Sequence, residues 1–126
     1  MRVLCIEDSE LTIELVRVIL AQRPAIELIS ALNGAEGVER ARRQHPALIL
    51  LDLGLPDRPG IEVLEELRSD AATEEIPVVV LTADTAKEQE ARLLAAGAVA
   101  YLTKPMDDDL FLALVDGILS RHLEGR

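Results

Sequence analysis

The chain has few of the residues on which several protein classes depend. Among its 126 residues there is one cysteine, one tyrosine and one phenylalanine, and tryptophan is absent. Without a second cysteine, Cys5 cannot form an internal disulfide. Because it lies inside an apolar run, we expect it to be a small core residue.

Basic residues and long apolar runs are also scarce. The 13 lysines and arginines stand against 23 acidic residues, and the net charge is -10. Such a charge repels the phosphate backbone, so we expect no direct binding of nucleic acid. No apolar run approaches the about 18 residues of a membrane-spanning helix, and no basic segment followed by an apolar stretch opens the chain. We therefore expect a cytoplasmic protein that is neither secreted nor embedded in a membrane.

The apolar content is high enough for one core. Hydrophobic residues make up 49% of the chain, and a chain of this length can bury a core without disulfides or a structural metal. No repeat, linker or low-complexity segment divides it. We expect a single domain over residues 1–126.

Short apolar runs alternate with amphipathic segments along the whole chain. Runs of this length and composition are typical of buried parallel strands, which are predicted at residues 3–6, 26–30, 47–51, 76–81 and 99–103. The predicted helices run from Ser9 to before Pro24, from Asn33 to Pro46, from after the Pro56–Gly60 loop, from Asp84 or Thr85 to Gly97, and from Asp107 to about His122. The first helix is predicted to bury Leu11, Leu15, Val18 and Ile19, and the third Ile61, Leu64 and Leu67. This pattern predicts a doubly wound α/β fold of the flavodoxin-like class, with five parallel strands in the order 2-1-3-4-5 and five helices.

Charged residues follow three of the predicted strands. Glu7 and Asp8 come after the first strand, Asp52 after the third and Lys104 after the fifth. In this strand order they meet at the carboxyl edge of the sheet, where open α/β sheets bind ligands. Carboxylates this close raise one another's pKa unless a cation lies among them, so we expect a hard divalent metal. Lys104 would offer a second positive charge to an incoming anion.

Four segments in this order resemble the receiver domain of two-component response regulators, the family that includes the single-domain chemotaxis regulator. They are Val3–Asp8, Leu48–Gly60 with Asp52, Pro56 and Gly60, Val78–Ala83 with Thr82, and Tyr101–Pro105 with Lys104. The resemblance implies that Asp52 is the phosphoacceptor. It also implies that Asp8, Asp52 and the Gly54 carbonyl bind Mg²⁺ or Mn²⁺, while Glu7 acts mainly through a metal-bound water.

The resemblance assigns roles to further residues. Lys104 and Thr82 would hold the phosphoryl oxygens. The residue pair itself adds that a cis peptide bond between Lys104 and Pro105 would aim the lysine inward. Thr82 and Tyr101 would form the switch that rearranges the face of helix four, strand five and helix five. Gly54 and Asp84 would lie at the rim of the site. The two histidines, His45 and His122, have no neighbouring ligand pattern and are interpreted as structural.

The implied partners are a sensor histidine kinase or phosphotransfer protein and a downstream protein or effector domain, with a phosphorylation-dependent homodimer left open. The chain fits a free single-domain regulator and a receiver cut from a hybrid kinase or larger regulator equally well. Its expected role is that of a signalling module rather than an enzyme.

The residues disfavour three alternative functions. A haloacid-dehalogenase-type phosphatase needs an acid/base aspartate two residues after its nucleophile, and Gly54 stands there. A flavin carrier needs a phosphate loop after the first strand and aromatic rings, whereas the segment 7–10 is acidic and aromatics are scarce. A degenerate receiver, acting as a phosphorylation-independent interaction module, would lack the acceptor or the lysine, and both are present.

Overall fold

The computed structural model describes residues 1–83 and 86–124, in which five strands and five helices alternate. The strands are β1 Arg2–Ile6, β2 Glu27–Ala31, β3 Leu48–Asp52, β4 Val78–Thr82 and β5 Ala100–Thr103. The helices are α1 Glu10–Leu20, α2 Gly34–Gln44, α3 Gly60–Ser69, α4 Lys87–Ala95 and α5 Asp108–Glu124. Among the described residues, no helix combines the length and apolar character needed to cross a membrane.

The strands form one parallel sheet in the order β2-β1-β3-β4-β5. This order confirms the predicted fold class. It makes β1 and β3 neighbours, with Ile6 paired to Leu51, so the residues that follow Ile6 lie beside the end of β3. The strand order therefore brings together acidic residues that are far apart in the sequence.

The core consists of two apolar layers, one on each face of the sheet. Successive residues of β1 alternate between them: Val3 and Cys5 pack with α1 and α5, and Leu4 and Ile6 pack with α2, α3 and α4. Every residue of β3 and β4 is buried. Cys5 is a free, buried thiol, as predicted, and burial raises its pKa to about 12. The site residues that end these strands therefore sit on a rigid support.

The predicted buried face of α1 is wrong. Of its four residues only Ile19 is buried, whereas Leu11 is 82% exposed and Val18 is 61% exposed. Apolar side chains surround most of this helix, so periodicity alone does not select the face that meets the sheet. The residues that α1 buries are Ile13, Val16, Ile19 and Leu20.

The helix ends follow the predictions in part. Ser9 caps α1 by accepting a hydrogen bond from the Thr12 amide, as predicted, and Asn33, the predicted start of the second helix, caps α2. The N-cap of α4 is Ala86, shortly after the predicted start at Asp84 or Thr85, and its carbonyl accepts the first hydrogen bonds of that helix. Asp84 and Thr85 themselves lie outside the described residues.

In α3, Leu64 and Leu67 are buried as predicted, but Val63 is fully buried while Ile61 is only half-buried. The helix begins at Gly60, directly beside the end of β3. The Gly60 amide donates to the Leu53 carbonyl at 2.9 Å. A Cβ atom on Gly60 would lie 2.5 Å from the Asp52 carbonyl oxygen and 2.6 Å from the Leu53 Cα. Only a residue without a side chain allows this approach of helix and strand.

We expect Gly60→Ala to destabilise the fold by roughly 1–3 kcal/mol, because the backbone of β3 would have to shift. Gly117→Ala is a matched control in α5, where a Cβ would meet no atom within 4 Å. Since alanine favours helix more than glycine does, the control should be up to about 1 kcal/mol more stable than the unsubstituted chain. Urea unfolding of the three proteins measures both effects. Equal stability of Gly60→Ala and the unsubstituted chain would contradict the packing argument.

Candidate functional site

Three carboxylates meet at the carboxyl edge of the sheet. Glu7, Asp8 and Asp52 each place an oxygen within 4.8 Å of the others. Asp52 is the last residue of β3, and Glu7 follows β1 directly. The Glu7 amide still donates to the Ala31 carbonyl at 2.9 Å, so β1 and β2 remain bonded one residue beyond the strand end. Glu7 and Asp52 are buried and Asp8 is exposed, which gives a site that opens to solvent on one side.

A lysine that follows β5 directly reaches the same site. The Lys104 Nζ donates to Asp52 Oδ1 at 2.9 Å and to both Glu7 carboxylate oxygens at 3.3 Å. Its backbone amide donates to the Thr82 carbonyl at 2.8 Å, which continues the pairing of β4 and β5 by one residue. The peptide bond between Lys104 and Pro105 is cis. The ammonium group therefore bridges two buried acids at the ends of β1 and β3.

The electrostatics of the site show an excess of negative charge. Burial, together with the hydrogen bond and charge of Asp52, raises the pKa of Glu7 to about 7, although Lys104 opposes this shift. Burial works against the charged form of Lys104, but its contacts with Asp52 and Glu7 raise its pKa overall. One ammonium group faces three carboxylates, so a divalent cation fits both the remaining charge and the oxygen ligands. The acidic cluster can hold a metal ion.

The remaining predicted site residues surround this cluster. A Cβ on Gly54 would lie 3.7 Å from Asp52 Oδ2, so the exposed Gly54 stands beside the proposed acceptor. Thr82 ends β4, is 5% exposed, and lies opposite Thr103 in the neighbouring strand. Asp84 lies outside the described residues. Among the residues that the structure describes, neither histidine joins a cluster of three metal-ligating side chains.

Tyr101 lies on β5, partly buried against the apolar layer of α2, α3 and α4. The carboxylate of Glu90 in α4 raises the pKa of the Tyr101 hydroxyl. The sequence did not single out Glu90, because an acidic residue in a helix is ordinarily a solvated surface residue. This interaction links the predicted switch residue to α4.

Residues 3–116 match the response regulator receiver domain. The chain belongs to this family. The receiver domain is 35% identical to the polar-differentiation response regulator DivK of Brucella ovis, in an alignment that covers 93% of this chain and 94% of that protein. The match to the profile and this identity establish a receiver domain of two-component signalling.

Solved structures agree with this assignment. The chemotaxis response regulator CheY4 of Vibrio cholerae matches with a TM-score of 0.84 and 26% identity, covering 93% of this chain and 97% of that chain. A CheY-like response regulator receiver domain protein from Methanospirillum hungatei matches with a TM-score of 0.88 and 25% identity, covering 99% and 98%. The receiver domain thus shares its whole fold with these proteins.

The raised pKa of Glu7 makes the metal-free receiver domain sensitive to pH. An acid with a raised pKa in the folded state contributes stability that is present below its ordinary value of 4.5 and is lost as pH rises through about 7. With a chelator present, we expect the free energy of unfolding to fall by roughly 1–3 kcal/mol between about pH 5 and pH 8, relative to the Glu7→Gln variant.

Urea unfolding across this pH range, with both proteins in chelator, measures the difference. The glutamine cannot ionise, so the variant should lack this decline. Parallel stability profiles for the two proteins would show that Glu7 keeps an ordinary pKa in the folded chain.

Proposed function

We propose that this receiver domain accepts a phosphoryl group on Asp52, from the phosphohistidine of a sensor histidine kinase or a phosphotransfer protein. The observation that carries the proposal is the 2.9 Å contact between Lys104 Nζ and Asp52 Oδ1, at a sheet edge that also gathers Glu7 and Asp8. A surface ion pair does not need two further carboxylates beside it. A phosphoryl-transfer site does need them, because they bind a divalent cation. Its positive charge must face both the acceptor and the incoming phosphoryl group.

The cation is Mg²⁺ or Mn²⁺ in this proposal. Asp8, Asp52 and the Gly54 carbonyl would ligate it, and Glu7 would act mainly through a bound water. The cation supplies neutralisation of the charge on the phosphoryl oxygens. Three carboxylate donors are the hard oxygen ligands that such ions prefer, which supports this choice over a softer metal.

The residues of the site have separate roles in the transfer. An Asp52 carboxylate oxygen forms the new bond to phosphorus, while the bond from phosphorus to the donor imidazole nitrogen breaks and leaves its electron pair on that nitrogen. Lys104 and Thr82 hold the phosphoryl oxygens. A carboxylate nucleophile has no proton to lose, so no side-chain base is required. Apart from the attack by Asp52, the transfer depends on positioning and on neutralisation of charge.

The same residues favour a signalling module over a phosphatase. At Gly54 there is no side chain that could act as acid or base two residues beyond the acceptor. A phosphatase that turns over outside phosphoesters needs such a group. The presence of both the acceptor and the lysine likewise disfavours a degenerate receiver that works only as an interaction surface.

The remaining proposals concern context. We place the receiver domain in the cytoplasm as one domain over residues 1–126, acting on a downstream protein or effector domain and not on nucleic acid. A homodimer that forms on phosphorylation remains a proposal of the same kind. The acidic composition supports the choice of protein partners.

Acetyl phosphate and Mg²⁺ should add one phosphoryl group to the chain, detected by intact mass, because a small acyl phosphate needs no kinase to present it. We expect Asp52→Asn, or removal of the metal by a chelator, to abolish the added mass. Asp116→Asn is the matched control, since Asp116 pairs with Arg23 and takes no part in the carboxylate cluster. Equal labelling of the Asp52→Asn protein would refute the assignment.

The proposed switch can be followed by tyrosine fluorescence. Tyr101 is the sole tyrosine and the chain has no tryptophan, so the emission reports on this ring alone. We propose that drawing the Thr82 hydroxyl toward the phosphoryl group lets the ring move inward and leave Glu90. Beryllofluoride with Mg²⁺ should then change the emission, since a tyrosine hydroxyl beside a carboxylate and one away from it differ in fluorescence.

The Thr82→Ala variant should lose this response, and Thr103→Ala, altered at the exposed threonine opposite in register, should keep it. Fluorine NMR establishes that beryllofluoride is bound in each protein. A full response in Thr82→Ala, or no response with beryllofluoride bound, would reject the coupling of the two residues.

A further inference from the structure

The loop that carries Gly54 is fastened to a neighbouring helix by one carboxylate. Asp57 lies in the β3–α3 loop, three residues after Gly54 in the sequence. Its Oδ1 accepts a hydrogen bond from the Gly34 amide at 2.8 Å, and its Oδ2 accepts one from the Ala35 amide at 3.0 Å. These two bonds hold the pKa of Asp57 below its ordinary value. Both carboxylate oxygens are therefore committed to the first turn of α2.

The start of α2 needs this carboxylate. The first amides of a helix have no partner within the helix. The Asn33 side chain accepts from the Glu36 amide at 2.8 Å, and the Gly37 amide reaches the Asn33 carbonyl at 3.0 Å. The amides of Gly34 and Ala35 remain, and Asp57 takes both. A negative charge at this end of a helix is also favoured by the helix dipole.

The approach of the loop to the helix is close. A Cβ on Gly34 would lie 2.8 Å from Val63 Cγ2 and 3.3 Å from Asp57 Oδ1, so the absent side chain makes room for the contact. The base of the loop is held separately, by the bond from the Gly60 amide to the Leu53 carbonyl at 2.9 Å. Gly54 thus lies between two fixed points, one at the base of the loop and one at Asp57.

The backbone that leads into α2 also supports the segment of Glu7 and Asp8. The Ala31 carbonyl, at the end of β2 and shortly before α2, accepts the hydrogen bond from the Glu7 amide. The segment of Glu7 and Asp8 and the loop of Gly54 are therefore both fastened to the chain between Ala31 and Ala35. Their relative position depends on these bonds, and metal affinity depends strongly on such supporting contacts.

We propose that Asp57 is a positioning residue for the divalent cation: it holds the β3–α3 loop so that the Gly54 carbonyl faces the carboxylates of Asp8 and Asp52. This inference rests on the proposed metal-binding role of Gly54. Asp57 does not itself touch the cation. Its loss should therefore lower metal affinity while the carboxylate cluster and Lys104 remain in place.

Calorimetric titration with MgCl₂ tests the proposal. We expect Asp57→Asn to bind Mg²⁺ about tenfold more weakly than the unsubstituted chain, as is typical when a supporting contact of a metal site is removed. The matched control is Asp70→Asn, which removes the same charge from a side chain that likewise accepts an amide bond, from Ala72 at 2.9 Å, and pairs with Arg42, at the far end of α3. The control should bind Mg²⁺ with unchanged affinity.

Two further conditions separate positioning from simple charge. At about 1 M NaCl the screening length is roughly 3 Å, so a long-range effect of the lost charge disappears there, whereas a positioning effect persists. Asp57→Ala is a second variant that can accept neither amide bond, and it should bind Mg²⁺ more weakly than Asp57→Asn, whose side-chain oxygen can still accept one of the two.

A measurement on the unsubstituted chain is independent of how the variants fold. Coupling between two sites is reciprocal, so if Asp57 favours metal binding, the metal must favour the Asp57 contact. We expect Mg²⁺ to slow hydrogen exchange at the amides of Gly34 and Ala35 and to leave the Ala72 amide unaffected.

The proposal is overturned if Asp57→Asn binds Mg²⁺ as tightly as the unsubstituted chain, or if its loss of Mg²⁺ affinity vanishes at high salt. It is also overturned if Mg²⁺ leaves the rate of amide hydrogen exchange at Gly34 and Ala35 unchanged. Failure of the unsubstituted chain to bind Mg²⁺ at all would instead overturn the proposed metal site on which the inference rests. The two failures are therefore distinguished within one set of titrations.

Discussion

Mutual repulsion among three carboxylates is the constraint around which this site is built. Glu7, Asp8 and Asp52 share one edge of the sheet, and two of them are buried. Lys104 offsets part of the repulsion by binding two of the acids at once. Burial, with a further contribution from Asp52, keeps the pKa of Glu7 raised despite Lys104. Apolar packing on both faces of the sheet holds the charges together, and a divalent cation completes the balance in the proposed function.

The sheet positions these charges by continuing its hydrogen bonds past the ends of two strands. Glu7 still pairs with β2, and Lys104 still pairs with β4, each one residue beyond its own strand. The side chains of Glu7 and Lys104 therefore extend from backbone that is hydrogen-bonded to the neighbouring strand. Gly54, in contrast, lies on a loop that needs separate support. Asp57 supplies that support from the start of α2. Strand ends and one loop contact together define the site.

The strand order and the proximity of the acids to Lys104 could be predicted from the sequence, since buried parallel strands appear as unbroken apolar runs. The buried face of α1 could not be predicted, because apolar residues surround most of the helix. Only contact with the sheet selects Ile13 and Val16 over Leu11. Contacts such as that between Asp57 and Gly34 join residues 23 positions apart and leave no local pattern. The influence of Glu90 on Tyr101 escaped prediction because an acidic residue in a helix is ordinarily a solvated surface residue.

The most direct test of the central claim is an anomalous difference map from crystals grown with Mn²⁺. The account predicts one peak among the carboxylates of Asp8 and Asp52 and the carbonyl of Gly54, at oxygen distances of about 2.1 Å. Lys104 should remain on Asp52 in the same crystals. A map without a peak there, with the acids balanced by Lys104 alone, would contradict the claim that this edge of the sheet is built for a divalent cation.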